Sequence, residues 1–256
     1  MTTAPLKVWV EHEGHLLRLR LARPKANVVD AEMIAALDRA LADHLDHPAL
    51  RAVLLDADGP HFSFGASVEE HLPAMCAEML TAFHGLILRI VASPVPVMAA
   101  VQGRCLGGGL EVAMAAHLIF VAPDAVLAQP EINIGVFAPA ASCLMPERIG
   151  RAAAEDLLIS GRNIDGDEAK AIGLATAVAE NPESAAIDYF TTHLAGKSAS
   201  SLRYATRAAR FGLVERLKER LDAFEQLYNE GLMTTQDAVE GLEAFLEKRP
   251  AVWKDR

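Results

Sequence analysis

The sequence is poor in cysteine and in positive charge. Its 256 residues include three cysteines, Cys76, Cys105 and Cys143, whose spacing matches no metal-binding or redox motif. This excludes a disulfide-stabilised scaffold and predicts reduced thiols in a cytoplasmic protein. Lysine and arginine total 24 against 34 acidic residues, for a net charge of −10. The scattered basic residues argue against nucleic-acid binding, although a local basic patch could still bind an anionic small molecule.

Long hydrophobic runs are also missing. The most apolar stretch, residues 86–122, is interrupted by charged residues, prolines and a glycine run, so it never reaches about 18 uninterrupted apolar residues. The N-terminus lacks the apolar segment of a secretion signal, which predicts a protein without a membrane partner. Hydrophobic residues still make up 52% of the chain, which excludes disorder. That content supports one large domain, or a main domain with a smaller appendage.

The pattern of apolar residues predicts an α/β core followed by a helical C-terminal part. Two apolar runs flank residues 12–15 as a hairpin, and the second alternates leucine with arginine like a half-buried strand. A helix is predicted after Asp30, a good N-cap, and Pro48 is expected to stop it. Further strands are predicted at 52–55, 95–101 and 118–121, and amphipathic helices at 75–90, 152–160, 165–172, 184–194, 200–228 and 235–246.

Phe64-Gly65-Ala66-Ser67 is the first segment that could carry chemistry. Its small residues would let a backbone approach a ligand closely, and the amides around Ala66 could donate hydrogen bonds to that ligand. Taken alone, an ordinary strand-to-helix turn in which Gly65 supplies an unusual dihedral explains the segment better.

A glycine run, Gly107-Gly108-Gly109, precedes an apolar helix that carries Glu111. Free N–H groups at a helix start favour negative charge, but the spacing fits neither a dinucleotide fingerprint nor a phosphate loop. The remaining interpretation is that these amides form a set of donors for one developing oxyanion. The alternative is that the glycines only allow the helix to pack closely on a strand. Glu111 is expected to be buried, either complementing the helix start or acting as a general acid–base with raised proton affinity.

Glu131 is a second isolated acidic residue in an apolar setting, within Gln129-Pro130-Glu131. Two carboxylates beside one oxyanion site would suffice to add or remove water, because one can take a proton from water while the other gives a proton to carbon. Alone, Glu131 also fits a simple turn carboxylate after Pro130.

Together, these three segments resemble the crotonase (enoyl-CoA hydratase/isomerase) family in order and spacing. The resemblance runs almost from end to end, from Arg23-Pro24-Lys25-Ala26-Asn27 to Lys248-Arg249-Pro250. It implies the crotonase (ClpP-like) α/β fold, a spiral core of ββα repeats over 1–195 with a helical oligomerisation region over 196–256. It also implies a homo-oligomer, a trimer or a dimer of trimers.

The resemblance implies the following site. The amides of Ala66 and Gly108 would form the oxyanion hole, each donor contributing about 3 kcal/mol in the transition state. Glu111 would deprotonate water, and Glu131 would exchange a proton with the α-side carbon. The acyl-CoA thioester would be held through residues matching the family's binding turns: Lys25, Ala26, Gly65, Ser67 and, from a neighbouring subunit, Lys248. No metal and no separate cofactor is implied, because CoA is part of the substrate.

The chain departs from the family after the second glutamate. Phe137-Ala138-Pro139-Ala140 stands where glycines are usual, which would reshape and stiffen an acyl pocket formed by Phe137, Ala138 and Ala140. Neutral drift is the alternative explanation of this departure. With residues 23–30 and 61–67, the segment most resembles family members that hydrate a conjugated cyclic dienoyl-CoA in aromatic-compound degradation, and the resemblance implies that activity. A general short-chain enoyl-CoA hydratase is the alternative activity. A non-catalytic acyl-CoA-binding or RNA-binding relative is the alternative of another class, although both glutamates are present.

Overall fold

Eight strands form two sheets in the structure, a computed structural model that describes residues 4–256. The strands are β1 (Leu6–Glu11), β2 (Leu16–Leu21), β3 (Ala52–Ala57), β4 (Val97–Val101), β5 (Arg104–Leu106), β6 (Leu118–Val121), β7 (Val126–Ala128) and β8 (Ala177–Val178). The larger sheet has the order β1-β2-β3-β4-β6-β8, and β5 pairs with β7 in the smaller one. β1 and β2 pair in an antiparallel sense, so the predicted hairpin is confirmed, and the other strand pairs described are parallel.

Helices connect the parallel strands and then make up most of the C-terminal half. They are α1 (Ala31–His44), α2 (Cys76–Val91), α3 (Gly108–Ala115), α4 (Pro139–Ile149), α5 (Arg151–Ser160), α6 (Gly166–Ala171), α7 (Pro182–Tyr189), α8 (Ala199–Ala209), α9 (Leu213–Gln226) and α10 (Gln236–Glu247). Asp30 caps α1 as predicted, its side chain accepting a hydrogen bond from the Met33 amide. The helix ends at His44, before Pro48. Gly212, with φ 73°, divides the long helix predicted over 200–228 into α8 and α9.

Both faces of the larger sheet are covered, which corrects the prediction of a half-buried second strand. Leu17 and Leu19 face the main core, while Leu16 faces a second apolar cluster that includes Phe190. Arg18 therefore points into the covered second face instead of solvent and is only 2% exposed. Its guanidinium is compensated there by ion pairs with three carboxylates, those of Asp56, Glu11 and Glu183.

Helix α4, which contains two prolines, was not among the predicted helices. Pro139 occupies the first turn, where the missing N–H has no helical acceptor to lose, and the helix continues through Pro146. The segment predicted to stiffen the acyl pocket therefore leads into a helix over residues 139–149. The first turn of α4 lies against the site described below.

The C-terminal helices pack on the α/β part of the same chain, and α9 contacts both α2 and α4. The boundary between 1–195 and 196–256 and the trimeric assembly stay predictions, and residues 1–3 lie outside the described part of the chain. Within residues 4–256, no helix has both the length and the apolar character needed to cross a bilayer.

Candidate active site

Two backbone amides, those of Ala66 and Gly108, lie side by side. A Cβ atom placed on Gly108 would be 3.0 Å from the Ala66 nitrogen. Gly65 adopts φ 109°, and a Cβ there would approach the Leu106 carbonyl to 3.1 Å, so only glycine fits this close crossing of backbones. Among residues 4–256, neither amide donates to an acceptor within the chain. The two N–H groups are therefore free to bind one common oxygen.

Helix α3 begins at Gly108, so the unpaired amides of its first turn and its dipole reinforce that pair of donors. The helix is buried along its whole length, as its apolar composition predicted. Ser63 fixes the distance between the segment that carries Ala66 and the segment that leads into α3. Its carbonyl accepts from the Leu106 amide at 3.0 Å, and its own amide donates to the Arg104 carbonyl at 3.0 Å. The donors are held by strand-like pairing on both sides.

The Glu111 carboxylate reaches from α3 to the first turn of α4. The side chain is only 4% exposed, and Oε1 accepts a hydrogen bond from the Ala141 amide at 2.7 Å. Ala138, at the N-cap of α4, has no side chain that could satisfy that amide, so Glu111 takes this role. Burial raises the pKa of Glu111 to about 7, while the Ala141 and Ala140 amides favour the charged form and limit the rise.

Glu131 lies in a short 3-10 turn, Pro130–Ile134, directly against the glycine run. A Cβ on Gly107 would be 2.6 Å from its Oε1 atom, so a side chain at Gly107 would displace the carboxylate. The buried Gln129 amide, in the orientation that pairs donors with acceptors, donates to both Glu131 oxygens at 3.1 Å. Burial, and next the charge of Glu111, raise the pKa of Glu131 to about 8. The structure thus couples two carboxylates whose proton affinities are raised toward neutral pH.

The predicted CoA-binding turn is joined to the donor segment. Lys25 is exposed, the Ala26 carbonyl accepts from the Phe64 amide at 2.8 Å, and the Gly65 carbonyl accepts from the Val29 amide at 2.9 Å. Asn27, fully buried with φ 46°, anchors this turn. Its side chain accepts from the Arg23 amide and donates to the carbonyls of Asp58 and His61.

Two further residues, Ser67 and Lys248, were predicted to contact CoA. The first lies beside the donor segment, and in the described part of the chain the second makes no hydrogen bond to the Lys25 turn. Ser67 is half-buried beside the donor segment, and its carbonyl bonds His71 Nδ1 at 2.7 Å. Lys248 is exposed at the end of α10, and no hydrogen bond or ion pair within residues 4–256 links it to the Lys25 turn. Its contribution stays a prediction that involves a neighbouring subunit.

The predicted acyl-pocket residues lie at the start of α4. Ala138 and Ala140 are buried, and Phe137 is half-buried. Phe137 makes edge-to-face contacts with two aromatic rings that the sequence analysis had not assigned to the site, Phe224 and Tyr228, at centroid distances of 6.1 and 5.4 Å. The helical spacing of apolar residues before Tyr228 predicts burial, but it does not identify the surface on which that stripe packs.

Other titratable groups near the site have structural surroundings. His117 Nδ1 accepts from the Val97 amide at 3.0 Å, and burial holds the pKa of His117 well below its usual range, as suits a neutral histidine with a structural hydrogen bond. Burial raises the pKa of the Cys143 thiol to about 12, which does not favour a nucleophile. His61 lies beside the donor segment with its ring 5.1 Å from that of Phe64. Among the described residues, no group of three or more His, Cys, Asp or Glu is arranged to hold a metal ion.

Comparison with known proteins relates this geometry to a family. The family model for enoyl-CoA hydratase/isomerase matches residues 11–256. The chain is 63% identical over 254 residues to cyclohexa-1,5-dienecarbonyl-CoA hydratase of Thauera aromatica, covering 99% of this chain and 98% of that protein. The chain belongs to the enoyl-CoA hydratase/isomerase family. A putative enoyl-CoA hydratase of Thermus thermophilus is 32% identical over 252 residues, with 93% and 97% of the two chains covered.

Solved structures of this family share the fold. A crystal structure of an enoyl-CoA hydratase from Mycobacterium avium superposes with a TM-score of 0.86 at 28% identity, covering 98% of this chain and 99% of that one. The predicted enoyl-CoA hydratase/isomerase family, its α/β fold with a helical C-terminal part, and the hydratase class are therefore confirmed.

Proposed function

We propose that this protein is a hydro-lyase that adds water to cyclohexa-1,5-diene-1-carbonyl-CoA and forms 6-hydroxycyclohex-1-ene-1-carbonyl-CoA. The observation that carries this proposal is the 63% identity, over nearly the whole of both chains, to a hydratase named for that substrate. The geometry is consistent with it, because two free amides lie side by side, with the half-buried Glu131 against the glycine run and the buried Glu111 on the helix that follows. Aromatic side chains beside Phe137 suit a planar ring.

In this proposal the thioester carbonyl oxygen accepts from the Ala66 and Gly108 amides. Hydroxide adds to the β carbon of the ring, and the electron pair of the double bond moves onto the thioester oxygen as an enolate. The two amides and the N-terminus of α3 stabilise that charge more strongly than they stabilise the neutral carbonyl. No separate cofactor is needed for this step, since the thioester itself accepts the electrons.

The two glutamates divide the proton transfers. Glu111 accepts hydrogen bonds from the start of α4, so it is the better candidate for the ionised group that takes a proton from water. Glu131 has its pKa raised further by the charge of Glu111, so it is the better candidate for the group that holds the proton. At neutral pH the pair then offers one base and one acid to the same substrate.

The proposed product fixes where the proton goes. When the dienolate collapses, its electrons must return to carbon and leave one double bond conjugated with the carbonyl. Protonation at the α carbon would leave that bond unconjugated, so the proton is added at the far, γ carbon, across the ring from the new hydroxyl group. For a linear enoyl thioester, the same acid would protonate the α carbon. The ring substrate therefore requires Glu131 to reach further from the oxyanion hole.

CoA itself is assigned to the surface beside these groups. Ala26 and Lys25, on the turn joined to the donor segment, are proposed to contact the adenine and the phosphates, with Lys248 of a neighbouring subunit adding positive charge. Local positive charge would reconcile an anionic ligand with a chain of net charge −10. A trimer or a dimer of trimers would supply that neighbouring subunit.

Replacing each glutamate by glutamine tests the mechanism. Glu111→Gln and Glu131→Gln should each lower kcat for dienoyl-CoA hydration by about 10²- to 10⁴-fold, because glutamine keeps the shape but cannot transfer the proton. Glu219→Gln, at an exposed position, is the matched control and should keep full activity. Loss of the conjugated chromophore measures turnover. A folded Glu111 or Glu131 variant with nearly full turnover would contradict the two-carboxylate mechanism.

The choice of substrate separates the ring hydratase from the general one. Purified protein should hydrate the cyclic dienoyl-CoA quickly and crotonyl-CoA poorly. The opposite preference would support a general short-chain enoyl-CoA hydratase, and no turnover of either thioester would contradict both activities.

A further inference from the structure

The hydroxyl group of Tyr228 has no partner in the chain. Tyr228 is fully buried, and its hydroxyl oxygen makes no hydrogen bond to any of residues 4–256. Buried hydroxyl groups are almost always hydrogen-bonded, because leaving one unpaired loses its interactions with water without replacement. An unpaired hydroxyl in a native fold therefore indicates a partner that binds from outside the chain.

The Tyr228 ring packs on the segment that carries the predicted acyl-pocket residues. The Tyr228 ring packs against Phe137 at a centroid distance of 5.4 Å and an interplanar angle of 63°. Phe137 leads into α4, whose Ala141 amide holds the Glu111 carboxylate. Burial raises the pKa of Tyr228 above its usual range, and the nearby charges of Cys76, Glu131 and Glu111 raise it further. The phenol is therefore neutral and can both donate and accept.

Contacts with α2 fix the segment that carries Tyr228. The residue lies in a π-helical turn, Leu227–Gly231, that follows α9, and such turns occur frequently at functional sites. On one side of this turn, Glu225 Oε1 bonds His84 Nδ1 at 2.6 Å. On the other side, Cys76 donates to Asn229 Oδ1 at 3.3 Å. These two contacts hold the turn that carries Tyr228 against α2.

We propose that Tyr228 is a third catalytic side chain, whose hydroxyl group hydrogen-bonds the oxygen that adds to the substrate ring. This inference rests on the proposed hydratase function. An attacking water gives one hydrogen to the base, and its remaining O–H group then needs a partner as it becomes the ring hydroxyl. A neutral phenol satisfies that O–H as an acceptor, or its oxygen as a donor, without introducing a further charge beside two carboxylates.

Tyr228→Phe removes only the hydroxyl group, and Tyr204→Phe makes the same change at a residue that is 72% exposed. Calorimetry with benzoyl-CoA and 2-hydroxybenzoyl-CoA provides a readout that does not depend on turnover, since neither ligand can gain or lose water. Tyr228→Phe should weaken 2-hydroxybenzoyl-CoA binding by about tenfold and leave benzoyl-CoA binding unchanged. It should also lower kcat for dienoyl-CoA hydration by about tenfold, while Tyr204→Phe changes neither quantity.

The melting temperature separates this role from a structural one. Removing an unpaired hydroxyl should leave the melting temperature unchanged or raise it. Equal effects on both ligands, or none on either, would overturn the proposal and indicate a hydroxyl satisfied by a structural water. If the wild type binds both ligands but hydrates no thioester, the hydratase function fails, while the ligand selectivity still decides whether Tyr228 contacts this oxygen. A wild type that binds neither ligand contradicts both proposals.

Discussion

Replacing Gly108 by alanine should remove most of the hydratase activity without unfolding the protein. Gly108 is the first residue of α3 and has no left-handed backbone conformation, so alanine is compatible with its helical geometry. In helices, alanine is more favourable than glycine by about 0.5–1 kcal/mol. Any loss of turnover in this variant would therefore come from the site and not from the stability of α3.

The size of the loss follows from where the new methyl group would lie. A Cβ on Gly108 would be 3.0 Å from both the nitrogen and the Cβ of Ala66. Carbon atoms normally approach to about 3.5–4.0 Å, so the two donor segments would have to separate by several tenths of an ångström. Oxyanion donors act over a narrow range of about 2.7–3.1 Å, and losing one donor lowers kcat by about 10²- to 10³-fold.

Gly85→Ala in the middle of α2 is the matched control, because a Cβ there would meet no atom within 4 Å. Steady-state hydration and thermal unfolding should be measured for both variants. Gly85→Ala should keep full kcat, while Gly108→Ala should lose at least about a hundredfold at a similar melting temperature. A Gly108→Ala variant that keeps more than a tenth of the wild-type kcat would refute the assignment of this amide to the oxyanion hole.

Three further changes test other parts of the site. Asn27→Ala removes three hydrogen bonds from the CoA turn and should cost about 3 kcal/mol in urea unfolding, with a raised KM. Burial raises the pKa of Glu131 from 4.5 to about 8, so its contribution to stability is full below pH 4.5 and is lost as the pH rises through 8. Relative to Glu131→Gln, the wild-type free energy of unfolding should therefore fall across that window, by up to about 1.4 kcal/mol per pH unit. Phe137→Leu should reduce the preference for the cyclic dienoyl-CoA over crotonyl-CoA severalfold in competition assays, because the aromatic wall is lost.

The sequence predicts the parts of the site whose cause is local. A glycine run before an apolar helix exposes amides in any fold, and a lone carboxylate in that helix must be buried wherever the helix packs. A short segment therefore predicts free amides at Gly107–Gly109 and a buried Glu111, whereas their roles follow from the family resemblance. The second strand shows the limit of such reasoning, because alternation alone could not indicate that a distant helix covers the face that carries Arg18.

Contacts between distant segments account for the remaining errors. Helix α4 was not predicted, because the sequence does not show that the Glu111 carboxylate satisfies the Ala141 amide at its start. The turn at Gly212 and the packing of Tyr228 on Phe137 likewise depend on how the C-terminal helices return to the core. Periodicity predicted a helix over 200–228 but not the surface on which it packs.

The proton affinities of the two glutamates and the shape of the acyl pocket depend on the same helix. At Glu111, burial disfavours the charged form while the first-turn amides of α4 favour it, and the balance leaves its pKa near neutrality, where a general base is most effective. At Glu131, burial and the charge of Glu111 both disfavour the charged form and outweigh the one backbone amide that favours it, so the two environments separate an acid from a base. The residues that replace the usual glycines, from Phe137 onward, build this first turn. A change in that segment that altered the acyl pocket would therefore also change the proton affinity of Glu111. Substrate choice and proton transfer are linked in this way.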